Sequence, residues 1–346
     1  MVTTIIKRIL SVIMSVLNGF LVFAIINKNF GSDEVIAYTQ VISISFLFAI
    51  VFQILLQSSL LSRSGISYLN IIVFVCSGIL IYVIHECQFI FLIGYLFVVS
   101  SIFITNSLLY TYSSGKLASY DILRFLLIGF LVIDIYLYLI AGIILNLIII
   151  VLWLDLSLTR YVEKRNLINY SLIVLLTYSF THLDQLSISY LPDSASVVES
   201  LLTLKFVALF RTMARKISEV SMDLFSLANQ VIVVASALIL ALLFILASRS
   251  YIEIFTGVAL SLDSFFYTTI VIVMGALLFS PYWLRMSIGK NVKILVYHDS
   301  MQLCVFVVMP ILVYYIQIWG VTLSYLISLL VSIVFVVYSK KSLAYE

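Results

Sequence analysis

Nearly every stretch of this chain long enough to cross about 30 Å of hydrocarbon, roughly 20 residues of helix, is apolar. That limits the fold more than any motif does. Hydrophobic residues make up 64% of the 346 positions and charged residues 10%, against roughly 25% charge in an ordinary soluble domain. Mean hydropathy is +1.22, and no soluble core could hide so much apolar surface. The expected fold is an all-α polytopic membrane protein whose function has to be sought inside the bilayer.

Short polar breaks divide the apolar runs into about twelve transmembrane helices, near 9–27, 35–61, 67–84, 89–112, 122–141, 143–158, 168–191, 198–222, 228–248, 262–284, 294–316 and 319–339. The stretch from Arg124 to Asp155 is too long for one helix and nearly uncharged. A division at Ala141-Gly142 is expected there, where a tight turn is cheapest. The N-terminal run follows Lys7 and Arg8 as a signal peptide would, but with no small-residue cleavage site it reads as a retained first span.

Positive residues collect in alternate loops when a span count is right. With the N-terminus inside, every Lys and Arg except Lys28, Arg249 and Lys205 falls on the cytoplasmic side, and the C-terminus returns there too. External breaks lean acidic, with Asp33, Glu34, Glu86, Asp193, Glu199, Glu253 and Asp263. The loops are too short to hold an extramembrane domain. The longest cytoplasmic break, around Arg160, Glu163, Lys164 and Arg165, falls near the midpoint. It separates an N-terminal six-helix lobe, 1–158, from a C-terminal six-helix lobe, 169–346, through a linker at 159–168. Six spans return the chain to its starting side, so the two lobes are expected to be parallel repeats.

Ionisable groups inside a span are expensive and therefore candidates for function. Asp134 lies in span five, Asp184 in span seven and Lys205 in span eight. Around Asp184 stand Thr177, Ser179, Thr181, His182, Gln185, Ser187 and Ser189, a polar stripe in which Asp184 and His182 could exchange a proton or hold a cation such as sodium. Asp134 is the matching acid of the first half. In span eight, Arg211, Arg215, Glu219 and Asp223 recur every four residues as one drifting stripe. At 1.5 Å per residue from Glu199, Lys205 and Arg211 lie ~9 and ~18 Å deep, as cavity-facing groups would. Arg124, at the inner end of span five, reads as a topology anchor. His85 and His298 lie near span ends, without partners at motif spacing.

Cys76, Cys87 and Cys304 are scattered through apolar stretches, read as small core residues, and have neither disulfide nor metal-ligand spacing. The chain carries no phosphate-cradling Gly-rich loop, no HExxH and no nucleophile elbow. No metal, cofactor, nucleic-acid partner or ATP-driven pump is expected.

Three segments resemble the polysaccharide and O-antigen flippases of the multidrug/oligosaccharidyl-lipid/polysaccharide exporter superfamily. One is NKNFGSDEVIAYTQVISIS at 27–45, a helix end, a short turn with Gly31 and a second helix. Another is LDQLSISYLPDSASVVESL at 183–201, an acid in span seven, a brief external turn and span eight. The last runs from Gly289-Lys290 through Gln317-Ile318-Trp319-Gly320 to Lys340, like the final helix pair of that family.

The resemblance implies a membrane transporter, not an enzyme. Such a flippase moves an undecaprenyl-diphosphate-linked oligosaccharide, an O-antigen or other polysaccharide repeat unit, across the bacterial cytoplasmic (inner) membrane. Lys205, Arg211 and Arg215, with Arg8 or Arg124 nearer the cytoplasm, would attract the diphosphate. Asp184, His182 or Asp134 would couple movement to a proton or sodium ion. Membrane lipid and polysaccharide assembly proteins are the implied partners. The rival readings are an O-antigen polymerase, which would need a sizeable basic external loop, and a small-solute or multidrug antiporter of the same fold.

Overall fold

The computed structural model describes residues 2–61, 66–86, 88–110, 114–154, 158–159, 182–191, 197–205, 253, 270–271 and 292–343. These are helical apart from turns and one short parallel pair, β1 (Ile66–Ser67) with β2 (Leu158–Thr159), in which Ile66 faces Leu158 and Ser67 faces Thr159. Two compact units divide the chain, Met1–His182 and Leu183–Glu346. Of the linker expected at 159–168 only Thr159 is described.

In the first unit, α1 (Val2–Phe30) and α2 (Ser32–Leu61) are joined through Gly31 alone. Its φ of 95° suits a residue without Cβ, and its N–H donates to the carbonyls of Ile26 and Asn27, both at 3.2 Å. Asp33 and Glu34 then complement the positive end of α2. α3 (Tyr68–Ile84) turns through Glu86, φ 53°, into α4 (Phe89–Tyr110). α2 packs on α4 and α3, α1 on α5, and α4 on α7.

The break expected at Ala141-Gly142 is not there. α5 (Ser114–Leu126) and α6 (Ile128–Leu131) form nearly one helical run, because Leu127 between them keeps helical dihedrals. At 1.5 Å per residue that run is about 27 Å long. The chain turns at 132–134 and returns as α7 (Ile135–Trp153), which carries Gly142 in its interior. Asp134 caps α7, its Oδ1 accepting from the N–H of Leu137 at 3.0 Å. At the other end the Nζ of Lys116 donates to the carbonyl of Trp153 at 3.3 Å, a cation on a helix C-terminus. Gly142 serves contact: a Cβ there would overlap the ring of Phe97. The turn thus lies at 132–134, and Ile135–Trp153 is the part of this stretch long and apolar enough to cross a membrane.

In the second unit residues 183–189 (α8) and 197–205 (α9) are helical, and α10 (Val292–Ile316) and α11 (Ile318–Leu343) form a hairpin. Gln317, φ 52°, makes the turn, its N–H donating to the carbonyl of Val313 at 2.8 Å. The spans expected at 228–248 and 262–284 lie outside the described residues, except for Ile270 and Val271.

Ser32–Ile50, Ile135–Trp153 and Ile318–Phe335 are each long and apolar enough to cross a membrane. Both units bury polar groups and expose apolar ones. Asn18, Ser43, Gln53 and Asn146 are buried in the first and Gln302 and Ser332 in the second, while Val83, Ile133, Val151, Tyr315 and Val334 are exposed. Such surfaces suit a lipid surrounding, where apolar side chains need no cover. Two expectations change accordingly. Cys76 and Cys304 are exposed and not core residues. His298 is buried, its Nε2 2.8 Å from the Oγ of Ser332 and 3.1 Å from the Nε2 of Gln302, which donates to the carbonyl of Ser328.

Two glycines should respond oppositely to a methyl group. A Cβ on Gly320 would stand 2.5 Å from the backbone of Leu312 and Val313, whereas Gly129 has nothing within 4 Å. Gly320→Ala should destabilise the detergent-solubilised protein by about 1–3 kcal/mol. Gly129→Ala should leave the melting temperature unchanged or raise it through helix propensity. Thermal unfolding followed by circular dichroism reads both.

Candidate functional site

In the first unit α5 carries the buried Asp121 and, one turn on, the half-buried Arg124. Its position on α5 is about 15 Å from the start of the run. The helix begins at Ser114, well before Arg124. Tyr120 and Arg124 are four residues apart and share a face. The guanidinium carbon lies 5.5 Å from the ring centre of Phe97 and 5.7 Å from that of Tyr120. Such contacts contribute about 0.5–2 kcal/mol each, more as water is excluded. Asp121, Tyr38 and Tyr138 complete its electrostatic surroundings.

A hydrogen-bonded chain fixes this cage. The hydroxyl of Tyr120 donates to Oδ1 of Asn146 at 2.9 Å, and Nδ2 of Asn146 donates to the hydroxyls of Ser100 at 2.8 Å and Ser101 at 3.1 Å. Both serines donate onward to the carbonyl of Phe97. Helices α5, α7 and α4 are thereby cross-linked beside the arginine. Sequence reasoning passed over Asn146, although a lone amide in the run Ile-Ile-Leu-Asn-Leu-Ile meets the same test that singled out the charges.

In the second unit Asp184, Gln185, Lys205 and Tyr325 come together. Asp184 is buried; its Oδ1 accepts from the N–H of Gln185 at 2.6 Å and its Oδ2 from the hydroxyl of Tyr325 at 3.0 Å. The Nζ of Lys205 donates to Oε1 of Gln185 at 2.7 Å and lies within electrostatic reach of Asp184. Phe306 meets the ring of Tyr325 edge-on, with centroids 5.1 Å apart. A carboxylate, an amide, an ammonium and a phenol from α8, α9 and α11 thus form one array. Lys205 and Asp184, given separate tasks from sequence, belong to it together.

The other expected site residues fall elsewhere. His182 stacks on Phe46 with ring centres 4.0 Å apart. Two residues from Asp184 on a helix, it diverges from that carboxylate by about 200°. Asp134 is at the α6–α7 turn, exposed and capping α7, so its expected place within a span is corrected. Arg8 is on α1 with its side chain outside the described residues, where Arg211 and Arg215 also lie, together with Glu219 and Asp223.

Arg124 offers a rigid fork of donors suited to phosphate oxygens. Lys205 and Asp184 offer an acid and a base whose charges are interdependent. No family model, no curated protein and no solved structure matches this chain.

The Asp184–Tyr325 bond can be measured by a double-mutant cycle of Asp184→Asn and Tyr325→Phe in thermal unfolding. The expected coupling is about 0.6 kcal/mol, with an upper bound of about 1.7, as for other hydrogen bonds between membrane helices. Strict additivity would mean that the hydroxyl and carboxylate do not interact.

Proposed function

We propose that this chain is a flippase that carries a polyprenyl-diphosphate-linked oligosaccharide from the inner to the outer leaflet of a bacterial cytoplasmic membrane. The reading includes about twelve spans in two parallel six-helix lobes and both termini in the cytoplasm. The observation that carries it is Arg124, a permanently charged side chain half-buried against the rings of Phe97 and Tyr120 where α4 and α5 meet. A guanidinium is costly there; Asp121 offsets part of the cost, and an anionic ligand would offset more. Diphosphate oxygens match its donor fork. The exposed apolar flanks would let a polyprenyl tail remain in lipid while the head group crosses.

The array in the second unit supports a coupling role. Protonating Asp184, or placing a sodium ion against it, would change the charge seen by Lys205 and bias one state over another. Lys205, Arg211, Arg215 and Arg8 are the further cationic groups assigned to the diphosphate. Asp134 is left out of the coupling role, since it caps a helix at a turn.

Deleting the protein should leave lipid-linked single units on the cytoplasmic side of spheroplasts. Arg124→Ala should lower the rate of their appearance outside about 10- to 100-fold at equal abundance, as expected for loss of a charged hydrogen-bonding partner. Arg124→Lys should fall between. Units that reach the outside at the normal rate but stay unpolymerised would indicate a polymerase instead.

A further inference from the structure

Turns α1–α2, α3–α4 and α6–α7 of the first unit line a half-open cleft of about 440 Å³ that none of the roles above uses. Its volume lies within the roughly 300–1,000 Å³ typical of small-molecule sites. Aromatic surface comes from Tyr38, Phe91 and Tyr136, and hydrogen-bonding groups from Glu34, Gln88 and Asp134. We infer that this cavity is a saccharide subsite, in which a sugar ring stacks on the aromatic side chains and its hydroxyls bond to the carboxylates and the amide.

The site is built before any ligand arrives. Gly31 lets α2 start one residue after α1 ends, which brings Glu34 to the rim. The left-handed Glu86 turns the chain so that Gln88 follows at once, its N–H held by the carbonyl of His85 at 3.0 Å. Asp134 is oriented by the N–H of Leu137, which bonds Oδ1. Phe91 is backed by His85, stacked with centroids 3.8 Å apart, and Tyr38 by Phe23, edge-on at 5.9 Å. Rings held in this way lose little freedom when a ligand docks.

The lining selects the ligand class. A sugar has apolar C–H faces and a rim of hydroxyls that both donate and accept, so it uses aromatic faces, carboxylate acceptors and amide donors together. A metal ion would leave the rings and amide idle, and among the described residues no three His, Cys, Asp or Glu side chains cluster as ligands. An organic cation would use the rings and carboxylates but waste the amide donor. Tyr38, besides lining the cavity, stands within electrostatic reach of Arg124. Given the proposed function, on which this assignment of substrate rests, a diphosphate at Arg124 would leave its first sugar beside Tyr38.

The test uses the full chain in nanodiscs, with saturation-transfer NMR and calorimetry for free glucose, galactose, N-acetylglucosamine and N-acetylgalactosamine. Inorganic pyrophosphate and tetramethylammonium are titrated in separate arms. At least one sugar should bind saturably, and Tyr136→Ala and Gln88→Ala, both at exposed positions, should each weaken it about tenfold while the melting temperature holds. Arg124→Ala should spare sugar binding and abolish pyrophosphate binding, so failure of the pyrophosphate arm alone counts against the flippase reading and not the subsite. Absence of saturable sugar binding to the unmodified protein, insensitivity to both substitutions, or tighter binding of tetramethylammonium than of any sugar would overturn the subsite.

Discussion

Hydrocarbon offers no hydrogen-bond partner, and the rest of the structure follows from that deficiency. Backbone groups are satisfied by winding into helices. Hydroxyls inside the units repeat the solution on a smaller scale by donating to the carbonyl one turn back: Thr39 to Val35, Ser101 to Phe97, Ser187 to Leu183, Ser324 to Gly320 and Ser332 to Ser328. Residues that cannot be satisfied locally must find a partner on another helix. The clusters around Asn146, Asp184 and His298 are of this kind, and they sit where helices meet.

The same deficiency gives polar residues more say over packing than apolar ones. Leu, Ile and Val contacts between lipid-surrounded helices compete with equally apolar lipid, so they specify little. An amide bridging Tyr120, Ser100 and Ser101 specifies one rotation and one depth for three helices at once. Glycines act in a complementary way, removing volume where helices approach, as Gly142 does under Phe97 and Gly320 does on α10. Arg124 is held in place by both devices, since Phe97 lies beneath it and Tyr120 beside it.

Helix positions were legible in the sequence because an apolar run and its ends encode them directly. Runs expected at 35–61, 67–84, 89–112 and 319–339 correspond to Ser32–Leu61, Tyr68–Ile84, Phe89–Tyr110 and Ile318–Leu343. The division between Arg124 and Asp155 was misplaced because that stretch has little polarity to mark a turn. The signals there were ambiguous: Asp134 suits a functional acid or an N-cap, and Gly142 a turn or a close contact. Asp184 and Lys205 stood out as charges in apolar runs, whereas their meeting through Gln185 and Tyr325 depends on helices distant in sequence. For Arg124 the residue was visible but its cage of rings was not, since that depends on how α4 packs beside α5.

The short ladder between β1 and β2 bears on how the first unit is made. Ile66 and Ser67 leave the ribosome before any of α3 to α7 exists, and their partners, Leu158 and Thr159, emerge only after α7 is complete. Two extended residues are not carried into lipid unpaired, so β1 stays without its partner strand while α3 to α7 are synthesised. Closure of that ladder is therefore late relative to α3 to α7, tied to the completion of α7, and until then the helices before it are gathered without this clasp.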